Sequence, residues 1–159
     1  LPHEESCNVP LLVRDPRNGG RGTQSDVLLS TIDIYPTLCG LTEMPVPEHY
    51  RGRDLSGAIR GETVESPETA FLMHIAKDNA SGGRNHPAPI FRGVRSKRYT
   101  YAVGEIGRWC LYDNQGDPYQ QQNLADDAAR ASLMSELDGE VIRYLREAGD
   151  EYPFHTRRV

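Results

Sequence analysis

The sequence has few cysteines, no excess of positive charge and no long hydrophobic run, and each of these shortages excludes a class of protein. None of the three cysteines belongs to a Cys-x-x-Cys pair, which argues against a structural zinc site and allows at most one disulfide. With 18 Lys and Arg against 23 Asp and Glu, the net charge of −5 argues against nonspecific nucleic-acid binding, which depends on neutralising phosphates. No apolar run approaches the roughly 20 residues that span a bilayer, so no membrane-spanning helix is predicted.

The chain also lacks an initiator methionine, since it begins Leu1-Pro2-His3-Glu4 and shows no signal-like segment. We therefore expect either a processed product or a chain whose N-terminal part is missing. Its 159 residues suit one domain, or one domain together with a fragment of another.

The first half of the chain predicts short elements. An apolar run at residues 9–13 (VPLLV), bounded by prolines, indicates a buried strand. Asp33 suits a helix cap and Pro36 suits a first helical turn, which together predict a short helix over residues 34–41. The polar stretch 62–68 indicates a boundary.

The second half predicts a small antiparallel sheet backed by one long helix. About four strands, joined by short turns except for one long loop at 77–89, are expected at residues 70–75, 91–95, 98–103 and 109–112. A helix that ends at Gly149 is indicated by an apolar stripe of Leu133, Leu137, Val141, Tyr144, Leu145 and Ala148. The sheet is the natural partner for this stripe, so we expect an α+β unit.

Candidate functional residues lie around the long loop. His74 ends the strand before it. If the loop folds back over the sheet, a cationic cluster would form from Lys77, Arg84, His86 and Arg92. Arginine can grip a sulfate or phosphate with two hydrogen bonds, and lysine supplies a point charge. A hydrogen-bonded surface histidine and a solvated basic rim are the alternative interpretations. No G-x-S-x-G, H-E-x-x-H or Walker motif occurs, so these residues alone name no reaction.

Five segments carry a wider resemblance when they are taken in order. They are ESCNVPLLV at 5–13, STIDIYPTL at 30–38, RGRDL at 51–55, RGVRSKRYTY at 92–101, and LYD through DPY to NL at 111–124. Together these segments resemble the C-terminal third of a type I sulfatase of the alkaline phosphatase superfamily. The resemblance implies an α/β fold in which residues 1–65 end the large domain. Residues 66–159 would then form the α+β C-terminal subdomain.

The resemblance also implies an activity for the parent protein. Type I sulfatases are calcium-dependent hydrolases of sulfate esters or N-sulfates, and their nucleophile is a formylglycine made in a C/S-x-P-x-R motif. That motif does not occur in this sequence, and no metal-ligand pair matches, so no catalytic residue and no metal ligand is assigned here. Calcium is expected in the parent protein, and the segment alone is expected to be inactive.

The resemblance further suggests partners and a compartment. The segment 74–92 is expected to face the substrate, with His74, Lys77, His86 and Arg92 binding a sulfated small molecule or glycan. The missing N-terminal catalytic part of the same protein is the second expected partner, and a periplasmic or secreted location is favoured. Two alternatives stay open: a non-catalytic binding or structural module on this scaffold, and part of a related phosphodiesterase or phosphonate hydrolase.

Overall fold

The computed structural model describes residues 1–18, 22, 24–75 and 89–153. The helices are α1 (Glu4–Cys7), α2 (Ile34–Thr42), α3 (Ser56–Arg60) and α4 (Ala131–Ala148), and the strands are β1 (Thr69–His74), β2 (Phe91–Ser96), β3 (Tyr99–Gly104) and β4 (Gly107–Asp113). Single turns of 3-10 helix occur at Pro16–Asn18, Thr31–Asp33 and Ala128–Arg130. Within these described ranges, no helix is long and apolar enough to cross a membrane.

The chain divides into two compact units. The helical unit is Pro10–Ala70, and the sheet unit combines Leu1–Val9 with the described part of Phe71–Val159. The sequence pattern gave no sign that the first nine residues group with the sheet. The expected boundary at residue 65 concerns the domains of the parent protein and stays a prediction.

The four strands lie side by side in sequence order, and they confirm the predicted antiparallel sheet. The pairing has one irregularity between β3 and β4. Val103 pairs with Arg108 and Ala102 pairs with Cys110, which leaves Trp109 as an extra residue on β4. Such a β-bulge changes the face to which the following side chains point. Here it directs Arg108 and Cys110 to opposite faces of the sheet.

One face of the sheet packs against α4, as the apolar stripe predicted. The buried cluster between them consists of Val94, Tyr101, Val103, Leu111, Ala125, Met134, Leu137, Val141 and Leu145. Each large apolar side chain that is fully removed from water contributes about 1.5–3 kcal/mol, so this cluster is the main source of stability of the unit. The helix ends at Ala148 and is capped by Gly149, whose φ of 65° lies in the left-handed region that glycine adopts without a steric penalty.

The other face of the sheet carries a smaller cluster and the N-terminal segment. Phe91, Ala102 and Cys110 are buried there. The His3 ring lies against Tyr112 with ring centroids 5.8 Å apart, and Pro2 is fully buried. Burial raises the pKa of the Cys110 thiol to about 12, which keeps this cysteine in its unreactive neutral form.

The helical unit confirms one sequence prediction and corrects two. Helix α2 begins at Ile34 with Pro36 in its first turn, as predicted. Asp33 does not cap it: its carboxylate accepts from the backbone N–H groups of Ser30 and Arg53, both at 2.8 Å, because the preceding 3-10 turn occupies the cap position. The strand predicted at 9–13 is not formed. The structure describes no neighbouring strand in residues 10–68 with which this run could pair, and Leu12 is 91% exposed.

Candidate functional site

His74, the last residue of β1, is half-buried at one end of the sheet. Its Nδ1 lies 3.2 Å from the carbonyl oxygen of Pro89. A carbonyl oxygen can only accept, so Nδ1 carries the proton and donates. In the neutral imidazole Nε2 is therefore an acceptor, and in the imidazolium it becomes a second donor. The contact with Pro89 thus fixes which ring nitrogen remains for a ligand.

His74 begins a row of three aromatic side chains. Its ring stacks on Phe91, with centroids 6.1 Å apart and planes 13° apart. Phe91 in turn contacts Trp109, with centroids 5.5 Å apart and a tilt of 48°. The bulge in β4 places Trp109 on this face, which the sequence pattern did not predict. Phe91 is buried, whereas His74 and Trp109 are partly exposed, so a ligand could contact the Trp109 ring and the polar nitrogen of His74.

Arg92 lies on the opposite face from Phe91 and is only 6% exposed. Its Nε donates to Asp150 Oδ2 at 2.6 Å, and its Nη1 donates to the carbonyl oxygens of Phe91 and His74 at 3.0 and 3.3 Å. Its guanidinium carbon lies 4.4 Å from the centroid of the Tyr152 ring. The hydrogen bond from Arg92 holds the pKa of the Asp150 carboxyl below its usual value. Arg92 therefore points into the protein.

Of the four predicted substrate-binding residues, the structure describes two. His74 and Arg92 are brought together, but through the backbone carbonyl of His74 and with their side chains on different faces. Lys77 and His86 lie outside the described residues. Substrate binding by any of the four stays a prediction.

Sequence reasoning missed a buried polar cluster between the sheet and α4. The hydroxyl of Tyr101 donates to Asp138 Oδ1, and Arg108 Nη2 donates to Asp138 Oδ2 at 2.5 Å. Burial, followed by the hydrogen bond to Asp138, raises the pKa of Tyr101, which keeps its hydroxyl a neutral donor. A signal was present, because Asp138 lies between Met134 and Val141 on the buried side of α4. Tyr101 and Arg108 of the sheet both donate to Asp138 of α4, so the cluster joins helix and sheet.

A second unpredicted contact fixes the N-terminal segment on the sheet. Arg95 donates to both carboxylate oxygens of Glu4, at 2.7 and 2.8 Å. Gln120 Oε1 accepts from the backbone N–H of Glu4 at 3.0 Å and lies 3.2 Å from His3 Nδ1. Two-pronged arginine–carboxylate pairs are among the stronger polar contacts in proteins, so residues 3 and 4 are held firmly.

The resemblance implies a calcium ion in the parent protein. Across 1–18, 22, 24–75 and 89–153, no three His, Cys, Asp or Glu side chains come together in a way that could hold a metal ion. The carboxylates that stand out here are engaged by arginines instead: Glu4, Asp113, Asp138 and Asp150. No chemical step is therefore assigned to a metal in this part of the chain.

Comparison with solved structures defines the class of protein. The chain is similar to a 2-O GAG sulfatase with a TM-score of 0.70 and 28% identity, over 84% of this chain and 28% of that one. It is also similar to the phosphonate monoester hydrolase of Agrobacterium radiobacter, with a TM-score of 0.65 and 30% identity, over 85% of this chain and 28% of that one. The fold is thus that of the C-terminal part of the α/β sulfatases.

Sequence comparison identifies the family. The family described as "N-sulphoglucosamine sulphohydrolase, C-terminal" matches residues 1–147, and the chain belongs to it. An ulvan-active sulfatase of Formosa agariphila is 36% identical over 150 residues, which are 94% of this chain and 29% of that protein. The chain therefore spans less than a third of the length of these relatives. The sulfatase resemblance and the fold class inferred from the sequence are both confirmed.

Proposed function

We propose that this chain is the C-terminal part of a sulfatase that hydrolyses sulfate esters or N-sulfates of a sulfated sugar. The observation that carries the proposal is the family match over residues 1–147. The substrate class is supported by the names of two similar proteins, an ulvan-active sulfatase and a 2-O GAG sulfatase.

The chemistry would come from the rest of the protein. The sequence contains no C/S-x-P-x-R motif, and the described residues offer no metal cluster, so a formylglycine and a calcium ion would both be held elsewhere in the parent. A metal and nearby cations would stabilise the charge that develops on the sulfuryl oxygens. We infer that this chain supplies substrate contacts and a surface on which the catalytic part packs.

The exposed apolar surface of the helical unit supports that packing role. Leu12 is 91% exposed, Leu11 is 53% exposed, and Leu38 of α2 is 52% exposed. Large apolar side chains that are left exposed are candidates for burial against another part of the protein. We propose that residues 9–13, which are apolar but unpaired here, become buried against the catalytic part.

The substrate contacts would lie at the end of the sheet that carries His74. Its Nε2 is the ring nitrogen left for a ligand, and as an imidazolium it would donate to a sulfate oxygen. The ring of Trp109, which is partly exposed and packs on the buried Phe91, would contact the apolar face of a sugar. Lys77 and His86 remain proposed contributors of positive charge.

The test is sulfate release by the protein that carries this chain together with its upstream sequence. Sulfated saccharides of the glycosaminoglycan and ulvan classes should release sulfate, and a chelator should abolish the release. The 159-residue chain alone should release none. Chelator-sensitive sulfate release by the chain alone would contradict the assignment of the chemistry to the rest of the protein.

A phosphonate monoester hydrolase is the second candidate for the parent. It is favoured by the 30% identity and TM-score of 0.65 with such an enzyme from Agrobacterium radiobacter. Hydrolysis of an aryl phosphonate monoester without sulfate release would establish it. The third possibility, a non-catalytic module on this scaffold, would be established by an upstream sequence that lacks both a C/S-x-P-x-R motif and an Asp-Asp pair.

A further inference from the structure

Arg92 connects three pieces of the sheet unit through four contacts. Its guanidinium bonds the carbonyl of His74 at the end of β1, the carbonyl of Phe91 at the start of β2, and the carboxylate of Asp150 after α4. The fourth contact is the ring of Tyr152. A side chain that is 6% exposed and makes these contacts holds the backbone around it in one arrangement.

The segment after α4 completes this arrangement. Asp150 accepts from Arg92 through Oδ2 and from the backbone N–H of Tyr152 through Oδ1, at 2.6 and 3.0 Å. The hydroxyl of Tyr152 donates to the carbonyl oxygen of Ile90 at 3.2 Å. The carboxylate of Asp150 therefore couples Arg92 to the tail of α4, and the tail in turn contacts the start of β2.

His74 is held at two points by this arrangement. Arg92 binds its carbonyl oxygen, and the Pro89 carbonyl binds its Nδ1. The first contact fixes the backbone, and the second fixes the ring and directs Nε2 away from Pro89. An imidazole binds a ligand well only when its ring is held in the right orientation. The orientation of the His74 ring therefore depends on the Arg92 guanidinium that holds its backbone.

We infer that Arg92 is a positioning residue: together with Asp150 it holds His74 in the orientation for sulfate recognition, and it does not itself contact the substrate. The identity of the ligand in this inference rests on the proposed function. The arrangement of Arg92, Asp150 and His74 does not. It gives Arg92 a different role from the direct sulfate contact that the sequence suggested. A positioning role requires Arg92 to stay bound to Asp150, whereas a direct contact with sulfate requires Arg92 to leave that carboxylate.

The first experiment measures backbone amide hydrogen exchange and needs no activity. Arg92→Lys keeps the charge but loses the fork that reaches both carbonyls and the carboxylate. Exchange at residues 74, 75, 90 and 91 should rise at least tenfold, while the β3–β4 ladder keeps the wild-type rates. Arg108→Lys is the matched control, because it removes another arginine from a largely buried aspartate pair in the same unit. Equal exchange at residues 74 and 91 in the two variants would overturn the inference.

The second experiment measures kinetics in the protein that carries this chain and its upstream sequence. Arg92→Lys and Asp150→Asn should each raise KM for the sulfated saccharide at least fivefold and leave kcat within twofold, and Arg108→Lys should leave KM unchanged. A lower or unchanged KM for Asp150→Asn would show that releasing the guanidinium does no harm, which overturns the positioning role. If the wild-type protein hydrolyses no sulfate ester, the proposed function fails, and hydrogen exchange still decides the role of Arg92.

Discussion

Replacing Asp138 by alanine tests how the sheet and α4 are joined. This carboxylate is 5% exposed and is the shared acceptor for the Tyr101 hydroxyl and the Arg108 guanidinium. Removing one partner of a buried ion pair costs about 3–5 kcal/mol, because the remaining groups stay buried without a partner. The side chain of Arg108 is 23% exposed, so water can partly replace the lost acceptor. We therefore expect a loss near the lower limit, about 3 kcal/mol.

The loss can be measured by urea unfolding followed through the fluorescence of Trp109, the single tryptophan of the chain. With an m-value of about 2 kcal/mol/M, a loss of about 3 kcal/mol lowers the midpoint by about 1.5 M. Glu140→Ala is the matched control on the same helix. The side chains of Arg143 and Glu140 are 38% and 33% exposed, and pairs that water reaches in this way contribute about 1 kcal/mol or less. Midpoints for Asp138→Ala and Glu140→Ala that agree within error would refute this account of the helix–sheet contact.

Two further predictions concern acid stability and glycine. Arg98 holds the pKa of Asp113 at about 2, below its usual value, so their pairing stabilises the fold above about pH 4 and is lost as the pH falls toward 2. Asp113→Asn should therefore flatten the dependence of Tm on pH in that interval, and an unchanged slope would contradict the assignment. Gly139→Ala should raise the free energy of unfolding by about 0.5–1 kcal/mol, because a Cβ there meets no atom within 4 Å and alanine is the better helix former. Gly93→Ala should lower the free energy of unfolding, because its Cβ would lie 2.3 Å from the carbonyl oxygen of Tyr101. Urea titrations in which both variants change the free energy of unfolding in the same direction would contradict this contrast.

Much of the sheet unit could be predicted because its signals are local. The two-residue alternation in β3 and the apolar stripe of α4 each lie within one element, and both were identified to within a few residues. The prediction of a strand at residues 9–13 was wrong because a strand also needs a partner from elsewhere in the chain. An apolar run indicates that a segment needs burial, but it does not say against what. The structure describes that run as exposed and without a strand beside it.

The candidate site was less predictable, because its contacts join distant parts of the chain. Arg92 and Asp150 are 58 residues apart, and Glu4 and Arg95 are 91 residues apart. Positive charge near a long loop suggested that Arg92 faces a ligand. The pleat of β2 and the bend after Gly149 instead turn it toward Asp150, and neither effect can be read from residue type alone.

The amino-acid sequence by itself determined the class of this protein and the order of its elements. Short-range patterns set which segments become strands or helices, and five motifs in order were enough to indicate the C-terminal part of a sulfatase, which the family match confirms. Tertiary structure alone decided which polar side chains face inward. It buried Arg92, paired Asp138 with Arg108 through a bulge at Trp109, and bonded Nδ1 of His74 to the carbonyl oxygen of Pro89. The physical reason is that a charged group is buried only where a partner compensates its lost hydration, and that partner is brought close by the fold.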